Sequence, residues 1–186
     1  ASWAQGDVRP MAQGRKNAVL DTHLAAALHV AAMQGAPALA AALAAAAPHL
    51  KWITYDLYDP AKIGAEFATG HAYASIIGED APIQAQDFDL GVFLIAPHVL
   101  YRDHAHAAPE LYAPLTGPHG WRFGPDRPLT VKPAHQPVWN PAHQVHMTKV
   151  GAVPFLCLYG WTRDVRPPAY VIPAQDWPAL QALRLG

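Results

Sequence analysis

The chain has 186 residues, with 13 basic and 14 acidic side chains and a formal net charge of −1, a length that fits one domain around one buried core. No Lys/Arg cluster is present to neutralise phosphates, which excludes nucleic acid as a partner and disfavours an anionic membrane surface. The single cysteine, Cys157, excludes an intrachain disulfide, and the longest apolar stretch, Ala38 to Ala47, falls well short of the ~20 residues of a membrane span.

Ala1 to Pro10 is polar and mixed and carries no signal-peptide pattern. With the lone cysteine, this makes the cytoplasm the expected location. Asp21-Thr22 is placed to cap a helix, and Leu20, Leu24, Ala27, Leu28 and Ala31 recur at helical spacing. Gly35-Ala36-Pro37 breaks that helix. Ala38 to Ala47 forms a second one, which Pro48 stops. The pair has a thin apolar stripe suited to packing on a sheet or on a partner chain, so monomer and homodimer both stay open.

After Pro48 the pattern turns to β. Lys51 to Tyr58 is aromatic and β-branched. Further strands are expected at Ala72–Ile77, Leu90–Ile95, Leu111–Leu115, Leu129–Lys132, Val138–Trp139, His143–Lys149 and Phe155–Trp161. Turn signals at Gly78-Glu79-Asp80, Gly117-Pro118, Gly124-Pro125-Asp126 and Val150-Gly151 separate them. Short strands at this spacing imply a sandwich or a closed barrel. A last helix is expected from Asp176 to Leu183. The expected division is residues 1–48 as a helical extension and 49–186 as the β part with its C-terminal helix, one domain overall.

The segment that carries chemistry is Asp103-His104-Ala105-His106-Ala107-Ala108-Pro109-Glu110-Leu111-Tyr112. On a strand alternate residues share a face, so His104 and His106 point the same way, as do Glu110 and Tyr112. Two imidazoles and a carboxylate converging inside a barrel suit a first-row divalent metal. Downstream, His143 and His146 have opposite parity, so only one of them is expected to join the site. Cys157, within an apolar strand, reads as a buried thiol, and Lys149 reads as exposed.

His104-x-His106-x-x-x-Glu110 followed by Gly117 resembles the first cupin motif, and Pro141-x-x-x-x-His146 resembles the second. This resemblance selects His146 over His143. The positions that hold glycine in the family are here His98, His135 and His143, and Val150 stands where asparagine is usual. The string that ends in Tyr112, with Glu110 to Gly117, Tyr101 and Leu158 to Asp164, is similar to the cupin-type dimethylsulfoniopropionate (DMSP) lyases of the DddQ kind.

The resemblance implies a mainly β chain, a single cupin-type β-barrel (double-stranded β-helix) with an N-terminal α-helical extension. It implies one divalent transition metal (Zn, Fe, Mn, Ni or Co) on His104, His106, Glu110 and His146, and DMSP as the small-molecule partner. The implied reaction is β-elimination to dimethyl sulfide and acrylate. Tyr112 is the first choice as general base and Tyr101 the second. Trp161, Tyr101 and His104 are the expected substrate-binding residues, with Tyr159, Trp139 and Phe155 as further aromatic candidates for holding a sulfonium. Alternative readings are a cupin dioxygenase, a lyase acting on another β-substituted acid, and a non-catalytic binding barrel.

Overall fold

In the computed structural model, which describes residues 8–12 and 17–186, helix begins before the expected cap. The Asn17 carboxamide oxygen accepts from the Val19 N–H at 2.9 Å, so Asn17 rather than Asp21-Thr22 caps the first helical turn. A π-helical turn, Leu20–Leu24, leads into α1, Ala25–Met33. Gly35, at φ 111°, turns the chain into α2, Pro37–Ala46, with its proline in the first turn. Pro48 lies inside a short 3-10 turn, Ala47–His49. The signal-peptide reading of Ala1 to Pro10 rests mostly on residues 1–7, outside the described residues.

Lys51 to Tyr58 is not a strand. It makes one bridge, Ile53 to Tyr73, and the Tyr55 N–H donates to His71 Nε2 at 2.9 Å in place of a ladder partner. Two short helices follow, α3 (Pro60–Ile63) and α4 (Ala65–Thr69), neither visible as an apolar period in so few residues.

The strands are β1 (His71–Gly78), β2 (Ile83–Gln84), β3 (Asp89–Ile95), β4 (Leu100–Ala105), β5 (Glu110–Pro114) and β6 (His119–Arg122). The second half of the chain adds β7 (Thr130–Lys132), β8 (Val138–Asn140), β9 (His146–Val150), β10 (Phe155–Trp161) and β11 (Tyr170–Val171), and helix α5 (Trp177–Ala182) closes it. One sheet has the order β2-β1-β3-β10-β5-β8 and the other β11-β4-β9-β6-β7. This is the expected mainly β architecture with helices at its N-terminus. The two sheets face each other and share no ladder among the described residues.

The six-stranded sheet is covered on both sides. Its outer face carries Val92, Leu94 and Leu156 against Ala27, Ala31, Ala40 and Leu43 of α1 and α2. Its inner face contributes Phe93, Phe155 and Cys157 to a core shared with Tyr101, Trp121 and Val150 of the second sheet. Burying both faces removes solvent alternation, which is why β3 and β10 read as continuous apolar runs.

Lys149 corrects its expectation. It is fully buried, and its ammonium donates to the carbonyls of His98 and, at 3.0 Å, Gln181. Arg122 is also buried and grips Asp103, with Nε to Oδ1 at 3.0 Å and Nη2 to Oδ2 at 2.5 Å. The Trp177 indole joins Asp103 at 2.8 Å, so this pair ties α5 to the second sheet. Among the described residues no helix is long and apolar enough to cross a membrane.

Candidate metal centre

The inner face of the six-stranded sheet is built in aligned rows. Asp89, Trp161, Glu110 and Asn140 face one another across β3, β10, β5 and β8. The next row is Ser75, Gly91, Tyr159, Tyr112 and Val138. Glu110 and Tyr112 therefore share the inner face, with Leu111 exposed between them, as alternation predicts.

The opposing sheet supplies the histidines. His104 on β4 pairs with His146 on β9, and His106 follows the end of β4. Each of the three offers a ring nitrogen within 4.8 Å of the others. The β4–β9 register slips between Tyr101 and His104, a bulge that brings two side chains three residues apart to the same interior. Their rings stack at 3.8 Å, while Asp103 between them turns away to Arg122.

Each imidazole is tethered through Nδ1 to a carbonyl two residues away, all at 2.8 Å: His104 to Arg102, His106 to Ala108 and His146 to Gln144. A carbonyl only accepts, so Nδ1 carries the proton and Nε2 presents a lone pair. Nε2 of His104 and of His146 is buried without a hydrogen-bond partner. His106 Nε2 lies 3.1 Å and His146 Nε2 3.4 Å from the same oxygen of Glu110.

With Nδ1 protonated, those contacts set lone pairs against a carboxylate, an arrangement that a cation among them resolves. Three nitrogens and one carboxylate oxygen fit a first-row divalent ion. The Glu110 carboxylate is itself held by Trp161 Nε1 at 2.7 Å and Asn140 Nδ2 at 3.1 Å.

Protonation follows the same geometry. Burial would push Glu110 up, but positive charge on the His106 and His146 rings, in the place a cation would otherwise take, outweighs it and holds the carboxyl well below its usual range. Burial opposes charge on His106 as well, yet Glu110 leaves its pKa raised. His104 is lowered well below the usual value, by burial first and then by the other two imidazoles. A neutral, lone-pair-bearing His104 is the form a metal needs.

Beside the cluster a cavity of about 260 Å³ opens, walled by Glu110, Tyr101, Tyr112 and Trp161 together with Tyr58, Tyr73, Tyr159 and Asp89. Burial pushes the phenols of Tyr101 and Tyr112 well above their ordinary range, and for Tyr112 the Glu110 charge adds to this. The Tyr101 hydroxyl is 2.8 Å from that of Tyr58. The Trp161 ring stacks on His106 at 4.6 Å.

Not every expected residue is on this wall. Trp139 is half exposed because its neighbours Val138 and Asn140 take the inward parity. Phe155 is packed in the core between the sheets. His143 is exposed, and its contribution is a backbone N–H that donates to the His106 carbonyl at 2.8 Å. The sequence motifs do not mark Asn140, Tyr58 or Asp89 as site residues. Asn140 had a signal, a polar residue at the inward parity of a strand.

The family model for DMSP lyase matches residues 4–157, well over half of the chain. A chain from the crystal structures of the DMSP lyases RdDddP and RnDddQII superposes with a TM-score of 0.72 at 23% identity, covering 92% of this chain and 83% of that one. DMSP lyase DddQ from Ruegeria pomeroyi DSS-3 superposes with a TM-score of 0.66 at 21% identity, covering 88% and 81%. At these identities the superpositions speak for the fold. Among curated proteins none matches the chain. With the family model spanning the helical segment, the histidine cluster and most of the six-stranded sheet, the chain belongs to the DMSP lyase family, a family of lyase enzymes.

Proposed function

We propose that the protein is a metal-dependent lyase that cleaves DMSP to dimethyl sulfide and acrylate by β-elimination. In this reading His104, His106, His146 and Glu110 hold the metal and Tyr112 is the general base. The observation that carries it is the set of orphaned, inward-facing imidazole nitrogens beside an aromatic cavity lined by two buried tyrosines.

On this donor set a divalent ion would supply Lewis-acid charge to the substrate carboxylate and would lower the pKa of a nearby phenol. Tyr112, ionised to its phenolate, takes the proton from the carbon next to the carboxylate. The C–H electron pair becomes the carbon–carbon double bond, and the carbon–sulfur bond breaks with its pair going to sulfur. Neutral dimethyl sulfide leaves, and acrylate remains. Trp161 and Asn140 fix the Glu110 carboxylate by donating to it, and the aromatic walls exclude water while facing the sulfonium. Tyr101, hydrogen-bonded to Tyr58, is the second choice of base.

In the same reading residues 1–48 and 49–186 form one domain, an assignment supported by the core that α1 and α2 share with the outer sheet face. The substrate is a small molecule.

The test is Tyr112→Phe in metal-reconstituted protein, followed by acrylate release and metal content. Acrylate formation should fall by about 10²-fold or more, the usual worth of a positioned base, with metal content unchanged. Full activity in Tyr112→Phe would transfer the role to Tyr101. Oxygen consumption in place of acrylate would point to an oxygenase instead.

A further inference from the structure

The cavity wall carries a second carboxylate that the elimination does not use. Asp89 on β3 stands in register with Trp161 on β10, which stands in register with Glu110 on β5. Residues in such a row share a face, so Asp89 and Glu110 look into one cavity from strands about 9.5 Å apart, two strand spacings, with Trp161 on the strand between them.

Asp89 is held deliberately. The Ser75 hydroxyl donates to Oδ2 at 3.0 Å, the Tyr159 hydroxyl donates to Oδ1 at 3.3 Å, and the two hydroxyls are 3.2 Å apart. Gly91 makes this possible, since a Cβ there would lie 2.6 Å from the Tyr159 hydroxyl oxygen. Among the described residues no cation forms an ion pair with Asp89. Arg166, which also borders the cavity, is committed to Glu79, with Nη2 to Oε1 at 2.9 Å. The surroundings are aromatic, with the Tyr73 and Tyr159 rings 6.2 Å apart and edge to face. Burial pushes the Asp89 carboxyl up to about 6 against the pull of both hydroxyls, so at neutral pH it is a charge still lacking a cationic partner.

We propose that Asp89 is the counter-ion for the cationic end of the substrate, and that it selects an onium group over a neutral group of the same shape. The proposal rests on the lyase reading, because that reading places the substrate carboxylate at the histidine–Glu110 end and so directs the other end towards Asp89. The cavity then has opposite polarity at its two ends, matching a zwitterion whose charges are separated by two methylenes. Aromatic faces alone would favour a cation only weakly. A fixed carboxylate adds a Coulomb term that a neutral isostere cannot collect.

The test uses two ligands that differ in one atom and lack the sulfonium leaving group. 3-(Trimethylammonio)propanoate carries the positive charge, and 4,4-dimethylpentanoate has carbon in place of nitrogen. Calorimetric binding is measured on metal-reconstituted wild type, Asp89→Asn and Asp89→Glu. Wild type should bind the ammonium ligand about tenfold or more tightly than the carbon isostere. Asp89→Asn should lose most of that preference while binding the isostere as wild type does, which also reports an intact pocket. Asp89→Glu should keep the preference. An Asp89→Asn protein that discriminates as wild type does, or a wild type that does not discriminate, would overturn the assignment. Dimethyl sulfide release from DMSP is scored separately on wild type, so a failed lyase reading and a failed Asp89 assignment give different results.

Discussion

His98, His135 and His143 hold left-handed backbone, at φ 63°, 63° and 60°. They are the three positions where the cupin motifs have glycine, and histidine is among the side chains that tolerate this region best. His135 Nε2 reaches the Gln34 carbonyl at 2.8 Å, and His143 Nδ1 lies 3.4 Å from the Tyr170 hydroxyl. His98 has no such return, because its Nδ1 is buried without a partner. His98→Gly should therefore relieve both the backbone and the unpaired nitrogen, raising the melting temperature by about 2–4 °C for each kcal/mol gained. A fall in differential scanning fluorimetry would show that the imidazole contributes more than its geometry indicates. The ligand candidates were legible because strand alternation sorts His104 with His106 and Glu110 with Tyr112. The stacking of Tyr101 on His104 was not, because it depends on a bulge that no residue pattern in β4 announces.

Elements with a simple apolar pattern, whether one face or both are buried, are legible in the sequence, and those without one are not. Phe155–Trp161 matches β10 residue for residue. Strand β6, His119–Arg122, is buried at every position and mixes charge with aromatics, so neither alternation nor an apolar run marks it. Lys51 to Tyr58 has strand composition, yet its Tyr55 N–H is claimed by the His71 side chain, and tertiary context overrides propensity. The six-stranded sheet depends on close approach at Gly91, where an added Cβ would meet the Ala74 carbonyl oxygen at 2.4 Å as well as the Tyr159 ring. Gly91→Ala should cost about 1–3 kcal/mol, read as a lower denaturant midpoint, and it should displace Tyr159 from Asp89. An unchanged midpoint would mean that β1 and β3 can separate at that row without loss.

Acid should unfold the molecule through its buried neutral histidines. Burial lowers His71 and His119 to about 4 from an ordinary value of 6.5. His71 Nδ1 contacts the Phe67 carbonyl at 2.6 Å while Nε2 accepts from the Tyr55 N–H, so a second proton would break the tie to the cavity-lining segment. Between pH 6.5 and 4 the unfolded chain binds these protons and the folded chain does not, so stability is present above 6.5 and is lost as pH falls towards 4. Asp89, raised to about 6, works in the opposite direction over part of that window and offsets one of the two. The melting temperature of metal-free protein should fall as pH drops from 6.5 to 4, and a flat or rising profile would contradict the buried neutral state. The mainly β architecture with its helical extension was legible from composition and turn spacing. The strand order within the two facing sheets was not, because it depends on pairings distant in sequence.

The central claim is that this cavity eliminates dimethyl sulfide from DMSP by means of the histidine–Glu110 centre. The most direct measurement is headspace gas chromatography of purified protein mixed with DMSP, metal-reconstituted against chelator-treated. Dimethyl sulfide with equimolar acrylate in the reconstituted sample, and its loss on chelation, is the predicted result. No dimethyl sulfide with any of the candidate metals, or release that survives chelation, would contradict it.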